Sequence, residues 1–127
     1  MLNTFFKSVL DTDRAPVVLC DTEHTIVYMN DAAIKKYADQ GGAELIGKSL
    51  LDCHNPHSNE MINKVLDWFR QDISHNMIYT YRNEKENKDV YMVAIRGENN
   101  ELIGYYEKHE FRNHETAKIY DFDNPLK

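Results

Sequence analysis

The sequence lacks long apolar runs and has few cysteines. Its first ten residues never place more than two apolar residues together, so they contain no signal-peptide core. A membrane-spanning helix needs about 20 consecutive apolar residues, and no stretch approaches that length. Two cysteines, Cys20 and Cys53, are too few for a disulfide scaffold and are expected to be reduced. We therefore expect a cytoplasmic protein with no membrane partner.

Positive charge and common enzyme motifs are also scarce. Fifteen Lys and Arg stand against 21 Asp and Glu, which gives a formal net charge of −6. Such a chain repels phosphate backbones unless a local cationic patch compensates, and only Lys35 and Lys36 are adjacent away from acids. The sequence contains no Gly-rich phosphate loop, no Gly-x-Ser-x-Gly elbow and no His-Glu-x-x-His motif. We expect neither a nucleic-acid partner nor an enzyme.

The first half of the chain predicts short elements. A length of 127 residues with 42% hydrophobic residues is typical of one globular domain. Helical spacing predicts an N-terminal amphipathic helix within residues 1–14, with the apolar side chains Leu2, Phe5, Phe6, Val9 and Leu10 on one stripe. Residues 17–20 and 25–29 then predict a hairpin. Asn30 is expected to cap a short helix over 32–37, and residues 43–46 form a further helical turn.

The second half predicts one long helix and three strands. Ser58 is the predicted cap of a helix that ends near Gln71 and carries the apolar stripe Met61, Ile62, Val65, Leu66 and Phe69. Strands are predicted at 76–82, 88–96 and 101–112, followed by a tail over 113–127. This order predicts an α+β domain over 15–112, with a five-stranded antiparallel sheet, helices on one face and room for a cavity between them.

Three segments in this order resemble the PAS sensor domains. Residues 17–33 resemble the family's opening hairpin, which runs through Asn30 into a helix of small residues. Residues 44–49 resemble its Glu-hydrophobic-hydrophobic-Gly turn, and residues 101–104 resemble its last hairpin. The resemblance implies a sheet in the order 2-1-5-4-3 and a pocket between the sheet and the long helix. It also implies a homodimer formed through the N-terminal helix, here through Leu2, Phe5, Phe6 and Val9.

A narrower resemblance concerns the segment before the long helix. Cys53-His54-Asn55-Pro56-His57-Ser58 resembles a bacterial subgroup of PAS domains that carry Cys-His-x-Pro-x-Ser at this place. Family members usually pass their signal to a kinase, a cyclase or a DNA-binding domain in the same chain. Since about fifteen residues follow the last predicted strand, we expect the output to pass through a signalling protein partner or through the dimer.

The same segment gathers candidate ligands for a metal or a cofactor. Cys53, His54 and His57 supply sulfur and imidazole, the usual ligands of first-row metals. His57 lies four residues before Met61 and eight before Val65, so it faces the interior if the helix begins one turn early. Either His57 or His54 could then bind a haem iron axially, as in haem-containing PAS domains that this segment resembles. A histidine beside proline can instead cap the helix or bond loop carbonyls. Zinc lacks a fourth ligand in this segment.

Other positions complete the candidate pocket. Met61, Val65 and Tyr79 are its predicted wall, beside His54, His57 and Cys53. Glu107 in the last strand faces either the interior, where it would read a ligand, or solvent, as most strand glutamates do. Cys20 is expected to be a small buried apolar residue. The remaining histidines, His24, His75, His109 and His114, show no convergent pattern in the sequence.

Three functions are compatible with these features. The leading hypothesis is a sensor that binds a small molecule, with haem as a candidate cofactor, and changes a dimer or partner contact. The second is a ligand-free interaction module whose own Met and Tyr side chains fill the core. The third is a small enzyme that uses His54 and His57 as acid and base, which requires a polar cleft.

Overall fold

A computed structural model describes residues 3–123, with the exception of the Cys53 side chain. Three helices and five strands alternate with short 3-10 turns. In chain order they are α1 (Thr4–Thr12), β1 (Val18–Asp21), β2 (Ile26–Met29), α2 (Asp31–Lys36), 3-10 turns at Ala38–Gln40, Gly42–Leu45 and Leu50–Cys53, α3 (Pro56–Gln71), β3 (Met77–Asn83), β4 (Lys88–Arg96) and β5 (Leu102–Phe111). Every strand predicted from the sequence is present, and most boundaries differ by one residue.

The strands form one antiparallel sheet in the order β2-β1-β5-β4-β3. The fold is therefore the α+β fold that the sequence predicted, and the strand order is confirmed. Strands β1 and β5 meet closely at Gly104, where an added Cβ would lie 2.2 Å from the carbonyl oxygen of Cys20. Only glycine permits this approach, because any side chain there would push the two central strands apart. A bulge between Tyr79 and Tyr81 shifts the register of β3 against β4.

The hydrophobic core lies between the sheet and α3. Val65, Leu66 and Phe69 are the buried residues of α3, as its apolar stripe predicted. Across from them, Met92 of β4 and Tyr105 of β5 are buried on the inner face of the sheet. Since burial of an apolar side chain contributes roughly 1.5–3 kcal/mol, this layer holds α3 against the sheet.

The start of α3 differs from the prediction. The helix begins at Pro56 with Asn55 as its N-cap, and the Asn55 side chain accepts a hydrogen bond of 2.8 Å from the Ser58 amide. Ser58 is therefore inside the first turn and the prediction that it caps the helix is wrong. Proline suits the first helical position because its missing N–H needs no partner there. It also holds Asn55 in extended geometry, as expected.

Asn30 connects three elements. Its side-chain oxygen accepts hydrogen bonds of 2.9 Å from the amides of Ala33 and Val17, so it caps α2 as predicted and also anchors β1. Its side-chain nitrogen donates to the carbonyl oxygens of Leu10 at 2.8 Å and Ala15 at 3.0 Å. The fully buried amide thereby satisfies both of its polar atoms and fixes the end of α1 against the domain.

The apolar stripe of α1 is exposed. Phe5, Phe6 and Val9 all face solvent, and no described residue of this helix is buried. Leu2, the fourth member of the predicted dimer surface, lies outside the described residues. Within residues 3–123, no helix is long and apolar enough to cross a membrane.

Candidate functional site

A cavity of about 210 Å³ lies on the inner side of the sheet. Most of its wall is apolar and comes from β1, β2, β4, β5 and the segment between α2 and α3. The lining residues are Pro16, Val18, Cys20, Ile26, Met29, Tyr37, Gln40, Leu45, Leu50, His54, Ile62, Met92, Tyr105, Glu107 and His109. Protein interiors are normally packed with few voids larger than a water, so a space of this size is a candidate ligand site.

Two ionisable side chains of β5 face this cavity. Oε1 of Glu107 lies 3.4 Å from Nε2 of His109. Successive odd positions of β5 share one face, which places Glu107 and His109 on the same side of the sheet as the buried Tyr105. The His109 side chain is only 5% exposed, and its Nδ1 atom has no hydrogen-bond partner in the described part of the chain. An unpaired buried polar atom costs free energy unless a water or a ligand satisfies it.

Burial shifts the pKa of both groups. Desolvation, together with the positive charges of Lys88 and Lys36, lowers the pKa of His109 to about 4 against the opposing charge of Glu86. The imidazole is therefore neutral at pH 7. Desolvation raises the pKa of Glu107 above its usual value, although His54, Lys88 and Lys36 act in the opposite direction. The carboxyl is surrounded by protein but 43% of its side chain is accessible, which is consistent with a group that lines a cavity.

Lys88 lies behind this pair at the start of β4. Its side chain is 2% exposed, and its ammonium group is 3.1 Å from Oε2 of Glu86 and 5.4 Å from the centre of the Phe111 ring. Lys36 of α2 approaches the same Glu86 carboxylate at 3.5 Å. One glutamate thus binds both lysines, and neither ammonium group forms an ion pair with Glu107 among the described contacts.

A hydrogen-bonded chain leads from the cavity to α3. His24, in the β1–β2 turn, places Nδ1 2.8 Å from the Tyr105 hydroxyl and Nε2 2.9 Å from Oδ1 of Asn63. An amide oxygen only accepts, so Nε2 carries the proton and Nδ1 accepts from Tyr105. The Tyr105 hydroxyl also interacts with the Cys20 thiol, and burial raises the pKa of Cys20 to about 12. Cys20 is therefore a buried neutral thiol, as the sequence predicted.

Of the five predicted site residues whose side chains the structure describes, one lines the cavity. His54 is exposed at its mouth, where Nδ1 is 2.9 Å from the Leu50 carbonyl oxygen. His57 and Met61 are exposed on α3 and do not line the cavity. Val65 is buried in the core outside the cavity wall. Tyr79 is exposed on β3, where its hydroxyl donates to Asp89 at 2.6 Å.

Cys53 belongs to the same prediction, but its side chain lies outside the described residues. Among the described residues, no group of three His, Cys, Asp or Glu side chains is arranged to hold a metal ion.

Sequence reasoning missed two of the polar residues at the site. The histidines outside the 53–58 segment were expected to lack a convergent group, yet His109 meets Glu107 and His24 meets Tyr105. For His24 the expectation failed because the pairing of β1 with β5, which the sequence does not show, brings its side chain to Tyr105. The usable signal was the spacing Tyr105, Glu107, His109, which places two polar side chains on the face of a buried aromatic residue.

An antiparallel sheet in the order 2-1-5-4-3, with helices on its inner side and an internal cavity, defines the class of small sensory domains to which PAS domains belong. The family model described as PAS domain matches residues 14–107. The chain therefore belongs to the PAS domain family, a family of sensory and signalling modules. No curated protein sequence matches it.

Solved structures share the fold at low sequence identity. The C-terminal domain of a protein from Streptococcus mutans is 17% identical with a TM-score of 0.64, and the match covers 84% of this chain and 81% of that one. A PAS domain from Colwellia psychrerythraea is 16% identical with a TM-score of 0.62, over 84% and 93% of the two chains. A sensory box sensor histidine kinase from Vibrio cholerae is 13% identical with a TM-score of 0.54, over 83% and 87%.

Proposed function

We propose that this PAS domain is a sensor whose cavity binds a small organic ligand and whose occupancy changes a contact with a second copy or a signalling protein. The observation that carries the proposal is the cavity of about 210 Å³ with Glu107 and His109 on its wall. A core that served stability alone would fill this space with apolar side chains and leave no buried polar atom without a partner.

The size of the cavity limits the ligand. A water occupies about 30 Å³ in the liquid, so the space corresponds to about seven waters. Sites for drug-sized ligands span roughly 300–1,000 Å³, which is larger. Haem has less support than a smaller ligand, because the space is small for a macrocycle and, of the two predicted axial ligands, His57 is exposed outside it and only His54 lines its wall. The proposed ligand is therefore a compact molecule of about seven to ten non-hydrogen atoms.

The other two functions have less support. A ligand-free interaction module predicts a core filled by its own Met and Tyr side chains, and the open space beside Met29, Met92 and Tyr105 argues against it. An enzyme that uses His54 and His57 together needs both at one polar cleft. Only His54 is at the cavity, whose wall is mostly apolar, so we do not propose an enzyme. The Cys-His-x-Pro-x-Ser subgroup and the cytoplasmic location stay predictions.

A contact path supports α1 as the output surface. Met29 lines the cavity, and the next residue, Asn30, bonds the Leu10 carbonyl in the last turn of α1. A ligand that moves β2 would therefore act on α1, whose exposed Phe5, Phe6 and Val9 form the proposed dimer surface. This remains a proposal about coupling, which a change of self-association on ligand binding would test.

Two matched variants test ligand binding. Val18→Phe would fill the cavity from β1, whereas Val27→Phe places the same side chain on the exposed face of β2. A library of organic compounds with up to about ten non-hydrogen atoms is screened by amide chemical shifts against each protein. We expect compounds that shift cavity residues in wild type and in Val27→Phe but not in Val18→Phe. Absence of any such compound, or binding that Val18→Phe leaves intact, would reject the proposal.

A further inference from the structure

The polar atoms that face the cavity are hydrogen-bond acceptors. A carbonyl oxygen only accepts, so Nδ1 of His54 must donate its proton to the Leu50 oxygen at 2.9 Å. In the neutral ring, Nε2 of His54 is then a bare acceptor at the mouth of the cavity. The backbone partner thus determines the tautomer of the neutral His54 ring.

The same reasoning applies to His109 deeper in the cavity. Its Nε2 lies 3.4 Å from Oε1 of the Glu107 carboxylate, which only accepts, so a proton on Nε2 is the tautomer that suits this pair. Nδ1 is then the acceptor, and this is the buried atom that has no partner in the described part of the chain. The low pKa of the buried ring, about 4, keeps it neutral at pH 7, and its Nδ1 atom is enclosed by protein rather than open to the cavity.

Tyr105 supplies no donor to the cavity. Its hydroxyl proton is committed to Nδ1 of His24 at 2.8 Å, because Nε2 of His24 donates to Asn63. Tyr37 and Gln40 also line the wall, but a hydroxyl and an amide both donate and accept, so they do not select the ligand. Glu107 and His54 therefore determine the polarity of the site, and both present acceptors.

We propose that the ligand is a small primary amine, bound as its ammonium ion with the ammonium group at Glu107 and with its hydrocarbon body against the apolar wall. This inference rests on the proposed function. An ammonium group has three donors and no acceptor, which matches the acceptors that Glu107 and His54 present on the wall. Its charge also neutralises Glu107, and a hydrogen bond to an ionised group is stronger than one between neutral groups.

Nearby lysines reduce the affinity for a bound ammonium group, but they do not occupy its binding site. Lys88 and Lys36 oppose a bound cation through space, and His54 does so only when protonated. Both lysine ammonium groups are held by Glu86, at 3.1 Å and 3.5 Å, so they do not occupy the acceptors of Glu107 or His109. Binding should weaken in acid, because protonation of Glu107 removes the charge that the ammonium group pairs with.

Three probes with one hydrocarbon body test the inference. Hexylammonium chloride, hexan-1-ol and sodium hexanoate are titrated separately into the whole chain at pH 7.5, and dissociation constants are taken from amide chemical shifts. We expect hexylammonium to bind about tenfold or more tightly than hexan-1-ol, since a charge-assisted hydrogen bond contributes about 1.5–3 kcal/mol. Hexanoate should bind most weakly, because its carboxylate meets Glu107.

Two carboxylate variants test which carboxylate binds the ammonium group. Glu107→Gln should weaken hexylammonium about tenfold or more while hexan-1-ol changes less than about twofold. Glu110→Gln, on the opposite face of β5, removes the same charge where the carboxylate pairs with Lys108 and Arg112, and should change neither probe. Circular dichroism of each variant checks that the fold is retained.

The outcomes separate this inference from the proposed function. Equal or tighter binding of hexan-1-ol or hexanoate at the cavity would overturn the amine and leave the ligand-binding proposal standing. No binding of hexylammonium at millimolar concentration, or binding unchanged by Glu107→Gln, would also overturn the amine. Failure of the proposed function itself would appear in the Val18→Phe comparison, which does not depend on the charge of the ligand.

Discussion

The Tyr105 hydroxyl donates a hydrogen bond of 2.8 Å to Nδ1 of His24, a residue 81 positions earlier in the chain. The two rings also meet edge to face at a centroid distance of 5.6 Å. Through Asn63 the same histidine contacts α3 at 2.9 Å. One buried imidazole thereby joins the first hairpin, the central strand β5 and the long helix, and it does so beside the cavity wall.

Removal of the Tyr105 hydroxyl should destabilise the domain. Tyr105→Phe leaves Nδ1 of His24 and the Cys20 thiol without their partner, and a buried unsatisfied group costs about 1–3 kcal/mol. Tyr106→Phe, at the next position and on the other face of β5, is the matched control. We expect urea denaturation to show a lower free energy of unfolding for Tyr105→Phe alone. Equal losses in both variants would contradict this role of the buried hydroxyl.

Asn30 should be the more important of two helix caps. Asn30→Ala removes the α2 cap and leaves the Val17 amide and the carbonyls of Leu10 and Ala15 without their partner, so we expect a loss of about 3 kcal/mol. Asn3→Ala removes only the exposed cap of α1 and should cost about 1 kcal/mol or less. Thermal or urea unfolding measures both. A similar cost at the two positions would show that the buried contacts of Asn30 contribute little.

His109 should weaken the fold in acid. Its pKa is about 4 in the folded protein against 6.5 for a free histidine, so the folded state favours the neutral ring. The stabilisation is present above pH 6.5 and is lost as the pH falls through 4, because the unfolded chain then binds the proton more readily. The difference of about 2.5 pKa units corresponds to a loss of about 3 kcal/mol. Unfolding free energies at several pH values should show it.

A glutamine substitution isolates this histidine. His109→Gln should flatten the dependence of stability on pH between 6.5 and 4, since glutamine does not titrate. His114→Gln, the same change at an exposed histidine, should retain the wild-type dependence. A wild-type slope in the His109 variant would assign the acid sensitivity to other groups.

Arg96 should fasten the end of α3. Its guanidinium group donates to the carbonyl oxygens of Phe69 at 2.8 Å and His75 at 3.0 Å, and to Oδ1 of Asn76 at 2.7 Å. Arg96→Lys keeps the charge but cannot reproduce the planar set of donors, so we expect a loss of about 2 kcal/mol in urea denaturation. Arg82→Lys, in an exposed ion-pair cluster on β3, should cost less than about 1 kcal/mol. If the two substitutions cost the same, Arg96 does not act as a helix anchor.

The sequence predicted the fold better than the site. Alternating strands and the apolar stripe of α3 are local patterns, so their positions could be derived, and β4 has the predicted bounds. The start of α3 was misplaced because Ser58 and Asn55 are both good caps, and the prediction chose the later one although Pro56 favours the earlier. Asn30 was recognised as a cap, but its bonds to Leu10 and Ala15 depend on the tertiary structure.

The site could be derived only in part, because its wall combines residues that are distant in sequence. Glu107 was recognised as a possible inward carboxylate, but only the pairing of β5 with β1 and β4 determines which face it occupies. His54 was selected because it belongs to a cluster of potential ligands. His109 was not considered together with Glu107, two positions earlier, and was given no role. Functional side chains that are close in sequence can be recognised from the sequence. Those that meet across a sheet can be recognised only when the register of the strands is known.

The close approach at Gly104 has a consequence for the order in which the protein forms during synthesis. Among the five described strands, β1 and β2 are synthesised before the others. The neighbour of β1 on its other side is β5, which is the last of these strands to be made. The free edge of β1 therefore remains unpaired until β5, which ends at Phe111, has been synthesised. Pairing of β1 with β5 at Gly104 joins the opening hairpin to the rest of the sheet. Completion of the sheet therefore depends on β5.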